Sequence, residues 1–257
     1  MRMKILINYA NLRFRASQRL NSRNGLAVAG FDKVFSFGPR DLDPAFRRAN
    51  ASVLAGRRGN GWWLWKPYVI LKVLDLARDG DILFYSDSAS TFIASLEPLF
   101  DLCRNGSQDV IPFDVNLSEM AYTKRDCFVL MGCDSPEYAE TTQRLSGHIL
   151  LRKSEAATDF IRAWLRHAQD SRIITDKEGF SGLPNHPGFV AHRHDQSVFS
   201  LLTKKHGFEA FRDPSQFGNH LQGHGHNSPY PQLIDLYRQP LPHLWYGLRR
   251  RMREGPT

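Results

Sequence analysis

The sequence lacks a long apolar run, contains few cysteines and shows no internal repeat. Because no stretch of eighteen consecutive apolar residues exists, no transmembrane helix is predicted. The three cysteines, Cys103, Cys127 and Cys133, cannot all pair and have no metal-ligand spacing. This favours a reducing cytoplasm over a secreted, disulfide-bonded class of protein. With neither a repeat nor a clear linker, a single domain over all 257 residues is predicted.

Acidic residues are fewer than basic ones, and the net charge is +8. Such a charge favours nucleic acid, an anionic membrane or a phosphate-rich substrate as a partner. Nucleic acid is not expected, because the sequence has no Lys/Arg-aromatic module of the DNA- or RNA-binding kind. The densest basic run, residues 249–253, follows the apolar Leu241, Leu244, Trp245 and Leu248. We interpret it either as a solvated tail or as a peripheral contact with an anionic membrane, at the inner face of the plasma membrane.

What the sequence does contain is an alternation of strand and helix patterns, clearest between residues 4 and 115. The predicted strands lie at residues 4–7, 33–37, 82–85, 109–113 and 147–152. The predicted helices begin at Ser17, Pro44 and Pro67, near Ser95, and at Ser135, Ser154 and His194. This order favours an α/β fold, with a mixed, mostly parallel Rossmann-type sheet flanked by helices. A loop over residues 170–191 is long enough for an active-site wall, and the chain beyond Gly207 has a loop-like pattern.

Asp87 is the first candidate for a functional residue. It follows the apolar strand at residues 82–85, and ligands of open α/β sheets bind outside the carboxyl ends of strands. A carboxylate on such a rigid support can hold a divalent cation that bridges a diphosphate. Position 89 is Ala89, so an Asp-X-Asp pair is missing. The alternative is an aspartate that caps the next turn.

Asp195 and Gln196 form the second candidate, in the first turn of a predicted helix whose free N–H groups can meet a ligand. The alternative is a simple N-cap, with Asp195 accepting from backbone donors. The third candidate is the group of Trp62, Trp63 and Trp65 with Lys66, because indole faces stack on sugars and an ammonium meets phosphate. The alternative is that Trp63 and Trp65 pack the helix against the sheet.

Histidines are concentrated between His186 and His226, where seven of the ten lie. The pair His224 and His226 has a spacing compatible with metal binding, although no HExxH helix is present. Most of these side chains are interpreted as loop residues, with one completing a metal site with Asp87. Glu119, in a charged loop with Lys124, is a candidate general base for an acceptor hydroxyl. An exposed loop with internal ion pairs is the alternative.

Four motifs together resemble bacterial nucleotide-diphospho-sugar transferases of the GT-A fold, including capsule and lipopolysaccharide biosynthesis proteins. They are Trp-Leu-Trp-Lys-Pro at residues 63–67, Tyr-Ser-Asp-Ser at 85–88, Leu-Leu-Arg-Lys-Ser-Glu at 150–155 and His-Asp-Gln-Ser at 194–197. The resemblance covers most of residues 4–212, and the first two motifs are its most specific part. It implies a nucleotide-binding half at residues 1–115, an acceptor and catalytic half at 116–212, and a C-terminal extension at 213–257.

The resemblance also implies site residues. Asp87 stands where the first aspartate of the family's Asp-X-Asp motif stands, which implies Mn²⁺ or Mg²⁺, with His224 and His226 as the further metal ligands considered. Asp195 and Gln196 are similar to the Asp-Gln pair of retaining galactosyltransferase-like enzymes, which lies beside the anomeric carbon. Together with Glu119, the base candidate named above from its loop, they form the predicted catalytic set. The expected substrate-binding residues are Asn8, Tyr9, Ala10, Trp65, Lys66, Tyr85, Ser86, Asp87, Ser88, Lys124, Arg193 and His194.

Three functions therefore stay open at the level of sequence. The first is a glycosyltransferase that moves a sugar from a nucleotide-diphosphate donor to a glycan or glycolipid hydroxyl, with retention if the Asp-Gln likeness holds. The second is a metal-dependent hydrolase built on the His-rich residues 186–226. The third is a non-catalytic member of the fold that binds glycan or nucleotide, for which the missing acidic partner at Ala89 is the best argument.

Overall fold

The computed structural model describes residues 2–221 and 227–237. The strands are β1 Lys4–Tyr9, β2 Lys33–Phe37, β3 Ile82–Ser86, β4 Ser90–Phe92, β5 Val110–Ser118, β6 Thr142–Arg152, β7 Phe211–Arg212 and β8 Ile234–Leu236. The helices are α1 Arg15–Asn24, α2 Pro44–Ala49, α3 Ala51–Leu54, α4 Gly59–Trp62, α5 Trp65–Leu74, α6 Glu97–Asn105, α7 Glu119–Tyr122, α8 Arg125–Leu130, α9 Pro136–Ala139, α10 Glu155–Gln169, α11 Ser171–Ile174 and α12 Asp195–Lys205.

Six strands form one sheet in the order β2-β1-β3-β6-β5-β7, and β4 pairs with β8 in a second, two-stranded sheet. Strand β1 runs parallel to β2 and β3, and β7 runs parallel to β5. Strand β6 is antiparallel to both of its neighbours, β3 and β5. The other five strands of the six therefore share one direction, which confirms the predicted mixed, mostly parallel α/β architecture.

The strand β3 shows how an uninterrupted apolar run becomes the centre of the sheet. All five of its residues are buried, and alternate side chains enter different cores. Leu83 and Tyr85 join the core on one face, whereas Ile82 and Phe84 join the core on the other. This two-sided burial is typical of strands covered by helices on both faces.

The helix α10 has the bounds and cap that its sequence pattern predicts. The Ser154 hydroxyl accepts from the backbone N–H of Ala157, which satisfies one of the free donors of the first turn. Phe160, Ile161 and Trp164 are fully buried, and each such side chain contributes roughly 2 kcal/mol of hydrophobic stabilisation.

Several predicted boundaries were wrong. Ser17 does not cap a helix; it lies within α1 and is buried. The helix predicted to begin at Pro44 is interrupted at Asn50, which separates α2 from α3. The chain beyond Gly207 is not loop-like throughout, because it contains β7, a 3₁₀ turn at Gln216–Leu221 and β8.

None of the helices within residues 2–221 and 227–237 is long and apolar enough to cross a membrane. The basic run at 249–253, the apolar residues before it, and the predicted metal ligands His224 and His226 lie outside the described residues.

Candidate active site

The candidate site lies where β1 and β3 end and where α12 begins. Strand β6 is antiparallel, so its earlier residues lie beside the carboxyl end of β3, with His148 opposite Ser86. This topology brings Lys66 from α5, Asp87 after β3, Ser146 from β6 and Asp195 from α12 into contact.

The Lys66 ammonium is the centre of this group and is almost inaccessible, with a side-chain exposure of 2%. Its Nζ lies 2.6 Å from Asp195 Oδ2 and 3.5 Å from Asp87 Oδ1. The same Nζ donates to the carbonyl and the hydroxyl oxygens of Ser146, each at 3.2 Å. Because an ammonium has three donors, these contacts to Asp195, Asp87 and Ser146 occupy all of them.

The charges of this group are strongly coupled. Burial disfavours the Lys66 ammonium, but Asp195 and Asp87 more than offset this effect and raise the pKa of Lys66. Burial raises the pKa of Asp195, while the Lys66 ammonium opposes the rise. Lys66 therefore stays protonated and is the cation that allows a carboxylate to exist at Asp195.

Asp87 is the accessible carboxylate of the pair, with 36% of its side chain exposed against 5% for Asp195. Its Oδ1 accepts from the Tyr85 hydroxyl at 2.7 Å, and its backbone N–H donates to the Gly147 carbonyl at 2.8 Å. Burial raises the pKa of Tyr85 well above its usual value, which keeps the phenol a neutral donor. The side chain of Asp87 thus contacts Lys66 and Tyr85, and does not act as a simple turn cap.

Asp195 is held by side chains from three elements. Its Oδ2 accepts from Ser146 Oγ at 2.8 Å as well as from Lys66, and its carbonyl accepts from Trp164 Nε1 at 3.2 Å. The residue before it, His194, has a φ of 54°, a conformation that costs free energy for a residue with a side chain. The N-cap alternative is therefore wrong for the Asp195 carboxylate, whose partners are side chains.

Gln196 and Glu119 belong to a neighbouring buried network. Gln196 Nε2 donates to Gln143 Oε1 at 2.8 Å, and Gln143 Nε2 donates to Glu119 Oε1 at 3.0 Å. Glu119 is fully buried and also accepts from Thr123, Ser200 and Lys204. A carboxylate with these partners has no face for an acceptor hydroxyl, so the structure gives Glu119 a structural position instead of that of a base.

Lys124 and the loop histidines stabilise the wall formed by residues 170–191. Lys124 Nζ is buried, donates to the carbonyls of Thr175 and Lys177 at 2.7 and 2.5 Å, and has a pKa lowered by burial. This placement differs from the predicted substrate contact. His194 Nε2 lies 2.9 Å from Asp176 Oδ1, and burial lowers the pKa of His194 to about 4 although Asp176 opposes it. The Arg193 guanidinium lies 4.9 Å from the centre of the Tyr122 ring.

Hydrogen bonds connect the carboxyl end of β1 to the other residues at the edge of the sheet where the candidate site lies. Asn8 Nδ2 donates to Asn21 Oδ1 at 2.8 Å, and the Asn8 side-chain oxygen is buried without a hydrogen-bond partner. Ser88 Oγ donates to the Tyr9 carbonyl at 2.7 Å, and Ser86 Oγ lies 2.7 Å from Ser90 Oγ. Ala10 continues the edge, where its N–H donates to the Phe37 carbonyl.

The indole of Trp65 is 5% exposed and stacks on the Tyr9 ring, with centroids 3.7 Å apart. Its stacking partner is therefore a neighbouring side chain, which agrees with the packing alternative. Asn60 donates to the Tyr9 hydroxyl at 2.9 Å, and burial raises the pKa of Tyr9 to about 12. The contacts of Tyr9 thus fix the turn that carries Asn60.

That turn, residues 59–63, contains the short element α4, whose backbone is left-handed: the five successive φ angles are positive, at 58°, 55°, 99°, 56° and 59°. It was not predicted. Three of these residues are not glycine, so the turn is strained. It nonetheless contacts the site from both sides, because the Trp63 carbonyl accepts from Lys66 N–H and the Trp62 ring lies 4.8 Å from the His194 ring. The triplet Gly59-Asn60-Gly61 was the available signal, since these residue types tolerate positive φ.

Ser146 and Gly147 are two further residues that the sequence did not reveal as site residues. A Cβ at Gly147 would lie 3.2 Å from Asp87 Oδ2, so the missing side chain leaves room for the carboxylate. A glycine within a predicted strand indicates such a close approach.

A divalent cation does not fit the side chains that the structure describes. No group of three His, Cys, Asp or Glu residues converges anywhere in residues 2–221 and 227–237. Asp87 supplies one carboxylate oxygen free of Lys66 and Tyr85, Ala89 supplies none, and Lys66 already lies between the two carboxylates. His186, His192, His194, His206 and His220 belong to no such group either, and His224 and His226, the pair considered for the hydrolase hypothesis, lie outside the described residues.

No family model and no curated protein matches the sequence. Among solved structures, mouse xyloside xylosyltransferase 1 in its apo form is similar over 94% of this chain and 99% of its own, with a TM-score of 0.52 and 13% identity. The fold is of the GT-A type. The galactosyltransferase LgtC, solved with donor and acceptor sugar analogues, is similar over 95% of this chain and 99% of its own chain, with a TM-score of 0.46 and 15% identity. The bifunctional glycosyltransferase WbbM covers 78% of this chain and 37% of its own, with a TM-score of 0.46 and 11% identity.

Proposed function

We propose that this chain is a glycosyltransferase that moves a sugar from a nucleotide-diphosphate donor to a hydroxyl of a glycan or glycolipid. The observation that carries the proposal is the buried ion-paired group of Lys66, Asp195 and Asp87 at the carboxyl edge of a GT-A-type sheet. Ligands of open α/β sheets bind at this edge. Buried ionisable groups with shifted pKa values, such as Lys66 and Asp195, are concentrated at functional sites.

The charge of this group suits the reaction. Two carboxylates and one ammonium leave a net negative charge, and the accessible part of it is Asp87. Glycosyl transfer develops positive charge at the anomeric carbon in an oxocarbenium-like transition state. A fixed carboxylate in a site that excludes water stabilises such charge more strongly than water does. Asp195 and Asp87 are the groups that we assign to this role.

Lys66 has a different role from the one that its sequence position first indicated. Its donors are used by Asp195, Asp87 and Ser146, so it positions the carboxylates and keeps them ionised. Lys66 is therefore a positioning residue in this proposal. The donor diphosphate must find its compensating charge elsewhere, and no step is routed through a metal.

A retaining outcome belongs to the proposal and rests on the likeness of Asp195-Gln196 to the Asp-Gln pair of retaining enzymes. The Gln196 side chain donates to Gln143 in the neighbouring buried network, whereas the Asp195 carboxylate shares the Lys66 ammonium with the accessible Asp87, so Asp195 is the member of the pair assigned to the reacting sugar. Nuclear magnetic resonance of the first-formed product reports the anomeric configuration directly. An inverted product would contradict this part of the proposal alone.

Calorimetry and donor hydrolysis against a panel of nucleotide sugars, each with Mn²⁺ and with EDTA, test the central claim. We expect at least one donor to bind and to be hydrolysed slowly, and Asp87→Asn and Asp195→Asn to reduce hydrolysis at least 100-fold. Asp159→Asn is the matched control, because Asp159 is an exposed partner of Arg162 on α10 and should leave hydrolysis unchanged. Absence of binding to every donor, or unchanged hydrolysis in Asp87→Asn, would refute the proposal.

A non-catalytic, ligand-binding protein of the same fold is the second candidate, because Ala89 leaves Asp87 without an acidic neighbour. The same experiment separates the two. Binding of a nucleotide sugar with no hydrolysis and no transfer to any acceptor favours the binding protein. Turnover that depends on Asp195 favours the enzyme.

A further inference from the structure

Helix α1 has the reverse of the polarity expected for a helix at the surface of a globular protein. Its buried residues, Ser17, Gln18 and Asn21, are all polar. Exposed leucines flank the helix in the chain: Leu12, just before it, is 84% exposed, and Leu26, just after it, is 53% exposed. A surface helix normally buries its apolar side chains and exposes its polar ones. The packing of a hydrophobic core therefore does not explain the polar buried face of α1 or the exposed leucines beside it.

The buried face of α1 is held by hydrogen bonds to the site edge. Gln18 Nε2 donates to the Phe37 carbonyl at 2.7 Å, and Asn21 Nδ2 lies 3.3 Å from Ser86 Oγ. Asn21 Oδ1 accepts at 2.8 Å from Asn8, the second-last residue of β1. These bonds fix α1 relative to the ends of β1 and β3. Whatever binds the outer surface of α1 is therefore held in a defined orientation to the candidate site.

The outer surface is basic and has no acidic residue near it in the sequence. Residues 11–31 contain four arginines, Arg13, Arg15, Arg19 and Arg23, and no aspartate or glutamate. All four are exposed, and none forms an ion pair with any residue in the described part of the chain. On α6, by contrast, the Arg104 guanidinium lies 2.6 Å from Glu97 and 2.7 Å from Asp101. The α1 arginines are thus free to meet an external anion.

The spacing of these residues places them along one stripe. Arg15, Arg19 and Arg23 follow one another at intervals of four residues along α1, which is the repeat of a single helix face. Leu12 lies three residues before Arg15, in the 3₁₀ turn Leu12–Phe14, and Leu26 lies three residues after Arg23, in the π-helical turn Gly25–Ala29. We call this set the α1 stripe. It carries arginines in the middle and an exposed leucine at each end.

We propose that the α1 stripe docks on the anionic surface of a lipid bilayer. Arginines bind lipid phosphates, while leucines enter the boundary between headgroups and acyl chains. Nucleic acid would also satisfy the arginines, but it offers no apolar layer for two exposed leucines. The role of the contact rests on the proposed function: it brings the site edge to a bilayer, where a glycolipid acceptor is found. The binding itself does not depend on transfer activity.

Co-sedimentation of the full chain with phosphatidylcholine vesicles, with and without phosphatidylglycerol, tests the proposal. We expect binding only to the anionic vesicles, and Arg19→Glu/Arg23→Glu to weaken it at least 25-fold, since each basic side chain contributes about fivefold. Arg47→Glu/Arg48→Glu on α2 is the matched control, because it makes the same change in net charge at exposed positions away from the stripe. Its binding should change much less.

A second pair of variants tests the apolar part and the competing tail. Leu12→Ser/Leu26→Ser should weaken binding even where the arginines are intact, and circular dichroism and donor hydrolysis should stay unchanged. Equal loss in both charge-reversed variants, or loss only in Arg249→Glu/Arg250→Glu, would overturn the assignment to α1. Equal binding to neutral vesicles, or displacement from anionic vesicles by RNA at stoichiometric concentration, would overturn the bilayer as the partner. Failure of the glycosyltransferase proposal would instead appear in the donor experiments, with vesicle binding intact.

Discussion

Removal of the Lys66 ammonium by Lys66→Met tests the view that this cation keeps Asp195 ionised inside the protein. Methionine has a similar length and suits a buried position, so the change deletes the charge with little change in volume. It leaves Asp195, whose side chain is 5% exposed, next to Asp87 with no cation between them. Asp195 must then either take up a proton or remain as an uncompensated buried charge.

The expected cost follows from the geometry. Two unit charges 2.6 Å apart attract by about 6 kcal/mol at an effective dielectric constant near 20, and most of this offsets the desolvation of the two ions. Removal of one partner of a buried pair costs about 3–5 kcal/mol of unfolding free energy. We expect that loss for Lys66→Met, and a partial recovery in Lys66→Met/Asp195→Asn, with a coupling free energy of about 2–3 kcal/mol.

The cost also has a predicted pH dependence. Without Lys66 the pKa of Asp195 rises further above the unfolded value near 3.9, so the folded state binds more protons than the unfolded state. The stability of Lys66→Met therefore falls as pH rises above about 4, and the deficit relative to wild type is larger at pH 8 than at pH 5.

Equilibrium urea unfolding, followed by circular dichroism at pH 5 and pH 8, measures all four members of the cycle. Lys72→Met is the matched control: it is the same substitution on the same helix, and Lys72 pairs with Asp43 at 3.0 Å at the surface. That exposed pair should be worth less than 1 kcal/mol. A coupling near zero between Lys66 and Asp195, or equal losses in Lys66→Met and Lys72→Met, would show that the reasoning about the buried cation is wrong.

Two further predictions concern a close approach and a buried histidine. Gly147→Ala places a Cβ 3.2 Å from Asp87 Oδ2, so we expect donor hydrolysis to fall about tenfold while unfolding by urea changes by less than about 1 kcal/mol; unchanged hydrolysis would contradict this. Burial lowers the pKa of His194 to about 4, so the unfolded state binds more protons than the folded state between pH 4 and 6.5. About 3 kcal/mol of stability is therefore lost as the pH falls from 6.5 to 4. His194→Gln should flatten the urea stability profile there, and an unaltered profile would argue against it.

Local patterns in the sequence were sufficient for the secondary structure that surrounds the site. The strand β3 is an apolar run bounded by polar residues, and α10 has a serine cap followed by an amphipathic repeat, so both were predicted close to their observed bounds. Asp87 and Asp195 were identified for the same reason, because Asp87 directly follows the strand β3 and Asp195 begins the helix α12.

The sequence did not reveal what these two aspartates contact. Lys66, Asp87 and Asp195 are far apart along the chain and meet because β6 enters the sheet antiparallel, between β3 and β5, and carries Ser146 to the edge. No local periodicity encodes that strand order. The same long-range packing buries Glu119 under Lys204 and Ser200, although its sequence surroundings suggested an exposed loop.

The composition determined that the chain is basic, and the order of apolar and polar residues determined its α/β pattern and its acidic strand end. Only the tertiary structure decided that the charged neighbour of Asp87 is a lysine, where an acidic residue at position 89 had been looked for. It also decided that α1 turns its polar side inward. The physical reason is that charges and hydrogen bonds of buried groups are satisfied by whichever residues the fold brings within about 3 Å. That choice depends on contacts between distant parts of the chain.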